Sequence, residues 1–162
     1  MEILALLSSG LLDALQPINL LLIIIGVTLG LFIGMMPGLG SVNGVAILLP
    51  ITFLVPPASA IIFLAAIYYG AMYGGAISSI TLGIPGASTA VATTFDGRPL
   101  ALQGRARLAL VTAAIASFVG GSVSIILFTL FAPILASVAL GFGPPEIFAL
   151  MLLAFATFVG LG

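Results

Sequence analysis

The chain contains no cysteine, histidine or tryptophan. Without cysteine there are no disulfides and no thiolate metal sites. Without histidine or cysteine, neither a Ser–His nor a Cys–His catalytic arrangement can be built. Charge is almost as scarce. Only 4% of residues are charged, against roughly 25% in soluble domains. All of them can be named: Glu2, Asp13, Asp96, Arg98, Arg105, Arg107 and Glu146. Asp13 and Asp96 fall in separate polar segments, so no paired carboxylates share a site for acid–base work. No clustered ligands exist for a metal, and no basic stripe exists to neutralise nucleic-acid phosphates. These absences argue against an enzyme, a cofactor and a nucleic-acid partner.

What is present is apolar. The chain is 62% hydrophobic, with a mean hydropathy of +1.46. No formal charge occurs between Asp13 and Asp96, or between Arg107 and Glu146. A spanning helix needs about 20 apolar residues, so the first gap holds about three to four passes and the second about one or two. Lipid offers backbone groups no hydrogen bonds, which leaves helices or a closed barrel. The long apolar runs lack the period-2 alternation of barrel strands. The expected fold class is an all-α integral membrane protein, a polytopic helical bundle with two Pro-Gly-interrupted helices, re-entrant or broken.

Residues 1–17 read as a short amphipathic helix with Ser8, Ser9, Asp13 and Gln16 on its wet side, too short and polar to span. An interfacial helix lying on the membrane is the expected role, with a frayed terminus as the alternative. Glu2 stands where a secretory signal would carry positive charge. Residues 18–162 read as the transmembrane region. Its first span runs from Ile18 to Met36, with Gly26, Gly30 and Gly34 on one face that lets another helix come close, most simply within the same subunit.

That span meets Pro37-Gly38-Leu39-Gly40. Ser41 or Asn43 is expected to cap a following segment that runs to about Phe53, too short to span and read as a half-helix or hairpin arm. A long helix from Ala58 to Leu82 follows, in which Tyr69 and Tyr73 are one turn apart and expected to stack. It breaks at Gly83-Ile84-Pro85-Gly86 and restarts on Ala87-Ser88-Thr89. Thr93 and Thr94 are placed a turn further on as supporting groups. Asp96-Gly97-Arg98-Pro99 is expected to turn. The arginines after it place the loop Asp96–Arg107 in the cytoplasm. Leu108 to Phe131 is a further span with Ala116, Gly120 and Gly121 on its packing face, broken by Pro133, and Glu146 marks the start of the last helix. The chain ends within an apolar run, which suggests one piece of a larger permease.

The stretch from Ile67 to Arg107 carries the functional reading. Each restart after a Pro-Gly break exposes a helical first turn whose unpaired N–H groups favour an anion without any lysine or arginine. Paired interruptions in hydrophobic segments point to a transporter's binding site. The candidate substrate-binding residues are Pro37, Gly38, Gly40, Ser41, Asn43, Pro85, Gly86, Ser88 and Thr89, with local helix capping as the alternative for each. A non-transporting membrane scaffold and a channel are the rival functions.

The blocks Gly34–Gly40, Leu48–Phe53, Tyr68–Gly75, Gly83–Thr89, Asp96–Pro99, Ser117–Gly121 and Phe142–Phe148 resemble, in order and spacing, the N-terminal third of the large membrane subunit of tripartite tricarboxylate transporters, the TctA family. The resemblance implies a bacterial inner-membrane permease for carboxylates such as citrate or tartrate. It implies coupling to an ion gradient (H+ or Na+) and, as partners, the remainder of the large subunit, a small membrane subunit and a periplasmic solute-binding protein. Ser88→Ala or Gly86→Val is expected to impair uptake while membrane insertion persists.

Overall fold

The structure, a computed structural model, describes residues 2–161 and is helical throughout, apart from short connections. The helices are α1 (Glu2–Ala14), α2 (Pro17–Met35), α3 (Gly40–Leu48), α4 (Pro57–Thr81), α5 (Val91–Leu100), α6 (Ala106–Leu140) and α7 (Pro144–Leu161). A 3₁₀ segment, Leu49–Leu54, continues α3, and another, Ser88–Ala90, leads into α5. Among the described residues three helical runs are long and apolar enough to cross a membrane: Pro17–Met35, Pro57–Thr81 and Ser88–Leu140. Two compact units are distinguishable, with the boundary between Ser117 and Phe118.

The first unit is built on α2 and α4. A Cβ placed on Gly26 would lie 2.8 Å from the Ala66 Cβ; one on Gly30 would meet the Ile67 carbonyl, and one on Gly34 the Ala71 carbonyl. The reciprocal glycines of α4 do the same, Gly70 against Val27 and Gly74 against Leu31. Contact at backbone distance is what small residues permit in a medium that supplies no hydrophobic drive between helices. Numbering rises on both helices together, so α2 and α4 run parallel. The glycine face of the first span is therefore filled from within the chain.

Parallel helices require a return between them, and α3 with its 3₁₀ extension provides it. Gly44 of α3 packs on Ile33 near the end of α2. At the other end Val55 lines one cavity with Ile18 and Asn19, at the start of α2. With its longer rise per residue in the 3₁₀ part, the segment Gly40–Leu54 covers about 25 Å, close to the roughly 28 Å of α2. It runs back along the pair as a hairpin arm would, and is among the apolar helices too short to count as a span.

Several local expectations give way. Leu39, not Ser41 or Asn43, occupies the N-cap of α3, and no side chain caps that end. The edge-to-face aromatic pair is Tyr68–Tyr69, with centroids 6.2 Å apart. Tyr73 instead donates from its hydroxyl to the Leu110 carbonyl at 3.2 Å. Asp96–Pro99 is no turn: α5 continues through it, and the chain reverses at Gly104, whose φ of +77° needs a residue without Cβ. Pro99 lies inside α5, where its ring removes one amide hydrogen bond to the carbonyl four residues earlier.

Arg98 reaches back across this region. Its Nη1 donates to the Thr81 carbonyl at the end of α4, and its stem lies over Gly83, which turns with φ +76°. A cation at a helix C-terminus offsets the negative end of the dipole. Arg98→Ala is expected to lower stability by about 1 kcal/mol. Thermal unfolding in detergent would show this, and an unchanged midpoint would assign no stabilising role to the contact.

In the second unit α6 passes through Pro133 without ending. The last helix begins where expected: Glu146 Oε2 accepts from the Gly143 N–H at 2.8 Å. Among the described residues no atom lies within 4 Å of a Cβ placed on Gly120 or Gly121. Most of the described side chains of the second unit are exposed apolar groups.

Candidate functional site

The two Pro-Gly breaks converge. Gly34, at the end of α2, presents its carbonyl to Gly86, and the Gly75 Cα would lie 2.8 Å from a Cβ on Gly86. Between Thr81 and Ser88 the chain therefore doubles back along α4, returning to the level of Gly75 before α5 begins. Ser79, fully buried on α4, holds this arrangement. Its Oγ lies 3.0 Å from the Ala90 carbonyl and 2.8 Å from that of Gly75, with one proton to donate between them.

A cavity of about 370 Å³ forms where the breaks meet. The first break contributes Gly38, Gly40 and Ser41, and the second contributes Pro85, Gly86, Ser88 and Thr89. Gly38 and Gly40 have φ of +87° and +68° with nothing within 4 Å of a Cβ. They are there for the left-handed turn. Gly86 is buried against backbone and is there for packing, so Gly86→Val reports on packing before it reports on any ligand.

Pro37 and Asn43 do not line the cavity. Pro37 is exposed beside it, and Asn43 donates from Nδ2 to the Leu39 carbonyl at 2.7 Å, one turn back on its own helix. Thr94 has a buried Oγ1 with no hydrogen-bond partner among the described residues, and it does not reach the cavity.

Among the lining residues outside the candidate set are Tyr68 and Met72, both from α4. They stand one turn apart on α4, so they share the face turned to the breaks. The Met72 Sδ lies 3.5 Å from Ser41 Oγ and 3.6 Å from Thr89 Oγ1. One thioether thus accepts weakly from a hydroxyl of each break. The glycines of the Tyr68–Gly75 block were the signal that α4 is closely approached here, but nothing in the sequence distinguished methionine as the residue between them.

No charged side chain lines the cavity. Its polar side-chain groups are hydroxyls, and α3 and the Ser88–Leu100 helical run open at its wall. At the second opening the Ala90 N–H already donates to the Ala87 carbonyl at 3.0 Å, so only amides ahead of it lack an intrahelical carbonyl. Such a site suits a small anion, since unpaired amides and the positive end of a helix supply the field that arginine would otherwise provide.

Long apolar helices, with a cavity where two of their segments are interrupted, define the class, a polytopic α-helical membrane protein. The profile of the tripartite tricarboxylate transporter TctA family matches residues 20–162. The chain belongs to the TctA family, a family of transporters and not of enzymes. It is 45% identical over 161 residues to an uncharacterized 52.8 kDa protein in the TAR-I ttuC' 3' region of Agrobacterium vitis, covering 99% of this chain and 32% of that protein. The chain thus spans about a third of the length of that relative. No solved structure matches.

Proposed function

We propose that this chain is the N-terminal part of the permease subunit of a secondary active transporter for di- and tricarboxylates in the bacterial inner membrane. The observation that carries the reading is the convergence of both Pro-Gly breaks on one cavity that is lined by hydroxyls and by the openings of two helical segments, with no charged side chain. Glycines 38, 40 and 86 shape the loops, while Ser41, Ser88 and Thr89 direct hydrogen bonds to a carboxylate. Pro37 and Pro85 hold the loops out of helical conformation, and Asn43 braces the first from behind.

The chain around this site is read as follows. The segment 82–87 enters the bilayer and leaves it again as a re-entrant loop, and 18–162 forms the membrane region. Residues 1–17 lie along the interface, and Asp96–Arg107 faces the cytoplasm. Substrate arrives from a periplasmic solute-binding protein. A small membrane subunit and the remainder of the large subunit complete the permease, and an ion gradient drives the movement of one helical bundle against another.

The test is uptake by the full-length permease with its partner subunits, using a panel of mono-, di- and tricarboxylates. Saturable, concentrative uptake of di- or tricarboxylates that collapses with an ionophore is expected. Uptake of none would leave the scaffold reading, and uptake that never exceeds equilibrium would make it a channel.

A further inference from the structure

A second cavity, of about 300 Å³, lies at the opposite end of the α2–α4 pair. It is separated from the first by about 20 Å, the rise of α4 from Ser59 to Met72. Its polar lining is Asp13, Gln16, Asn19 and Ser59, from the end of α1 and the starts of α2 and α4. Asn19 is only 3% exposed. Its Nδ2 donates to the Asp13 carbonyl at 2.6 Å, which fixes the amide orientation, and its Oδ1 then has no partner among the described residues. A buried amide oxygen left unbonded is costly, so a native structure rarely keeps one without a ligand or water to satisfy it.

The surrounding groups also accept. Gln16 donates its Nε2 to Asp13 Oδ1 at 3.0 Å, which leaves its own amide oxygen and the second carboxylate oxygen of Asp13 available. Ser59 is buried at the same cavity. The donor set is entirely oxygen, the chemistry of hard cations, and contains a single carboxylate, which matches one positive charge rather than two. Two helices start here, and their dipoles oppose a cation. Both open with proline, Pro17 and Pro57, which removes one amide donor from each first turn.

We propose that this cavity binds a small monovalent cation, such as sodium, through Asp13, Gln16, the Asn19 Oδ1 and Ser59. The site does not touch the candidate carboxylate cavity and does not depend on what that cavity binds.

Sodium is the probe, with the full-length permease purified in detergent. Binding of radioactive sodium and thermal unfolding are measured in sodium, magnesium and choline chloride at matched ionic strength. Saturable binding is expected, with protection by sodium but not by choline or magnesium. Asp13→Asn and Asn19→Leu should each weaken sodium binding by at least the roughly tenfold that loss of even an outer partner costs a metal site. Ser88→Ala, at the other cavity, should leave it unchanged. Asp13 is exposed, so Asp13→Asn keeps the test decisive if Asn19→Leu does not fold. Undiminished sodium binding in Asp13→Asn, or equal protection by choline, would overturn the proposal.

Discussion

Ser88→Ala in the full-length permease should lower carboxylate uptake about tenfold or more at low substrate, mainly through a higher apparent Km. Ser88 is exposed at the cavity and has no hydrogen-bond partner within the protein among the described residues, so its hydroxyl is free for a ligand. A hydrogen bond to a charged group contributes about 1.5–3 kcal/mol, and 1.4 kcal/mol corresponds to about tenfold in affinity. Thr89 and Ser41 are weaker tests because both hydroxyls already contact Met72. Since Ser88 supports no packing, Ser88→Ala should extract and unfold like the parent protein. Normal uptake kinetics in that variant would remove the second break from the substrate site.

Gly30→Leu should have an equally large effect of a different kind. A side chain there has no place to go, because the Ile67 carbonyl and the Ala71 amide occupy it. Overpacking costs about 1–3 kcal/mol in ordinary cores, where flexible side chains can yield. Here the neighbour is helix backbone, and α2 and α4 would have to part. Detergent extraction followed by size-exclusion chromatography should show loss of the monodisperse species. Gly10→Leu, on exposed α1 with open space around its Cβ, is the matched control and should behave as the parent. A monodisperse Gly30→Leu protein of ordinary thermal stability would show that the α2–α4 contact is not what holds the first unit together.

Much of this organisation is legible in the sequence for identifiable reasons. Charge-free runs bounded by Asp13, Asp96, Arg107 and Glu146 mark membrane segments because charge is costly in lipid. Glycines at every fourth position announce the face on which α4 settles. The Pro-Gly pairs at 37–38 and 85–86 announce interruptions, and both border the same cavity. The less legible parts depend on tertiary context. Pro133 reads as a stop, yet lies within α6, as membrane helices allow when freed backbone groups are satisfied locally. Asp96–Pro99 has turn composition, but Gly97 packs against Ile80 and Arg98 caps α4, and both contacts keep α5 helical. Met72 lies within the Tyr68–Gly75 block, but nothing in that block marks it apart from its neighbours. Its place between two hydroxyls depends on where the far ends of two loops come to rest. The Asn19 cavity was equally hidden, because Asp13 and Gln16 read as the wet side of a terminal helix while Asn19 and Ser59 fell within the long helices that follow.

The backbone contact between α2 and α4 has a mechanical consequence. Carbonyls set into the spaces left by Gly26, Gly30, Gly34, Gly70 and Gly74 act as teeth, so neither helix can slide along the other without lifting out of register. The motion left to them is to pivot as one beam. One cavity sits beside Met72, midway along α4, and the other beside Ser59 at its start, so a pivot of the beam would displace the two by different amounts.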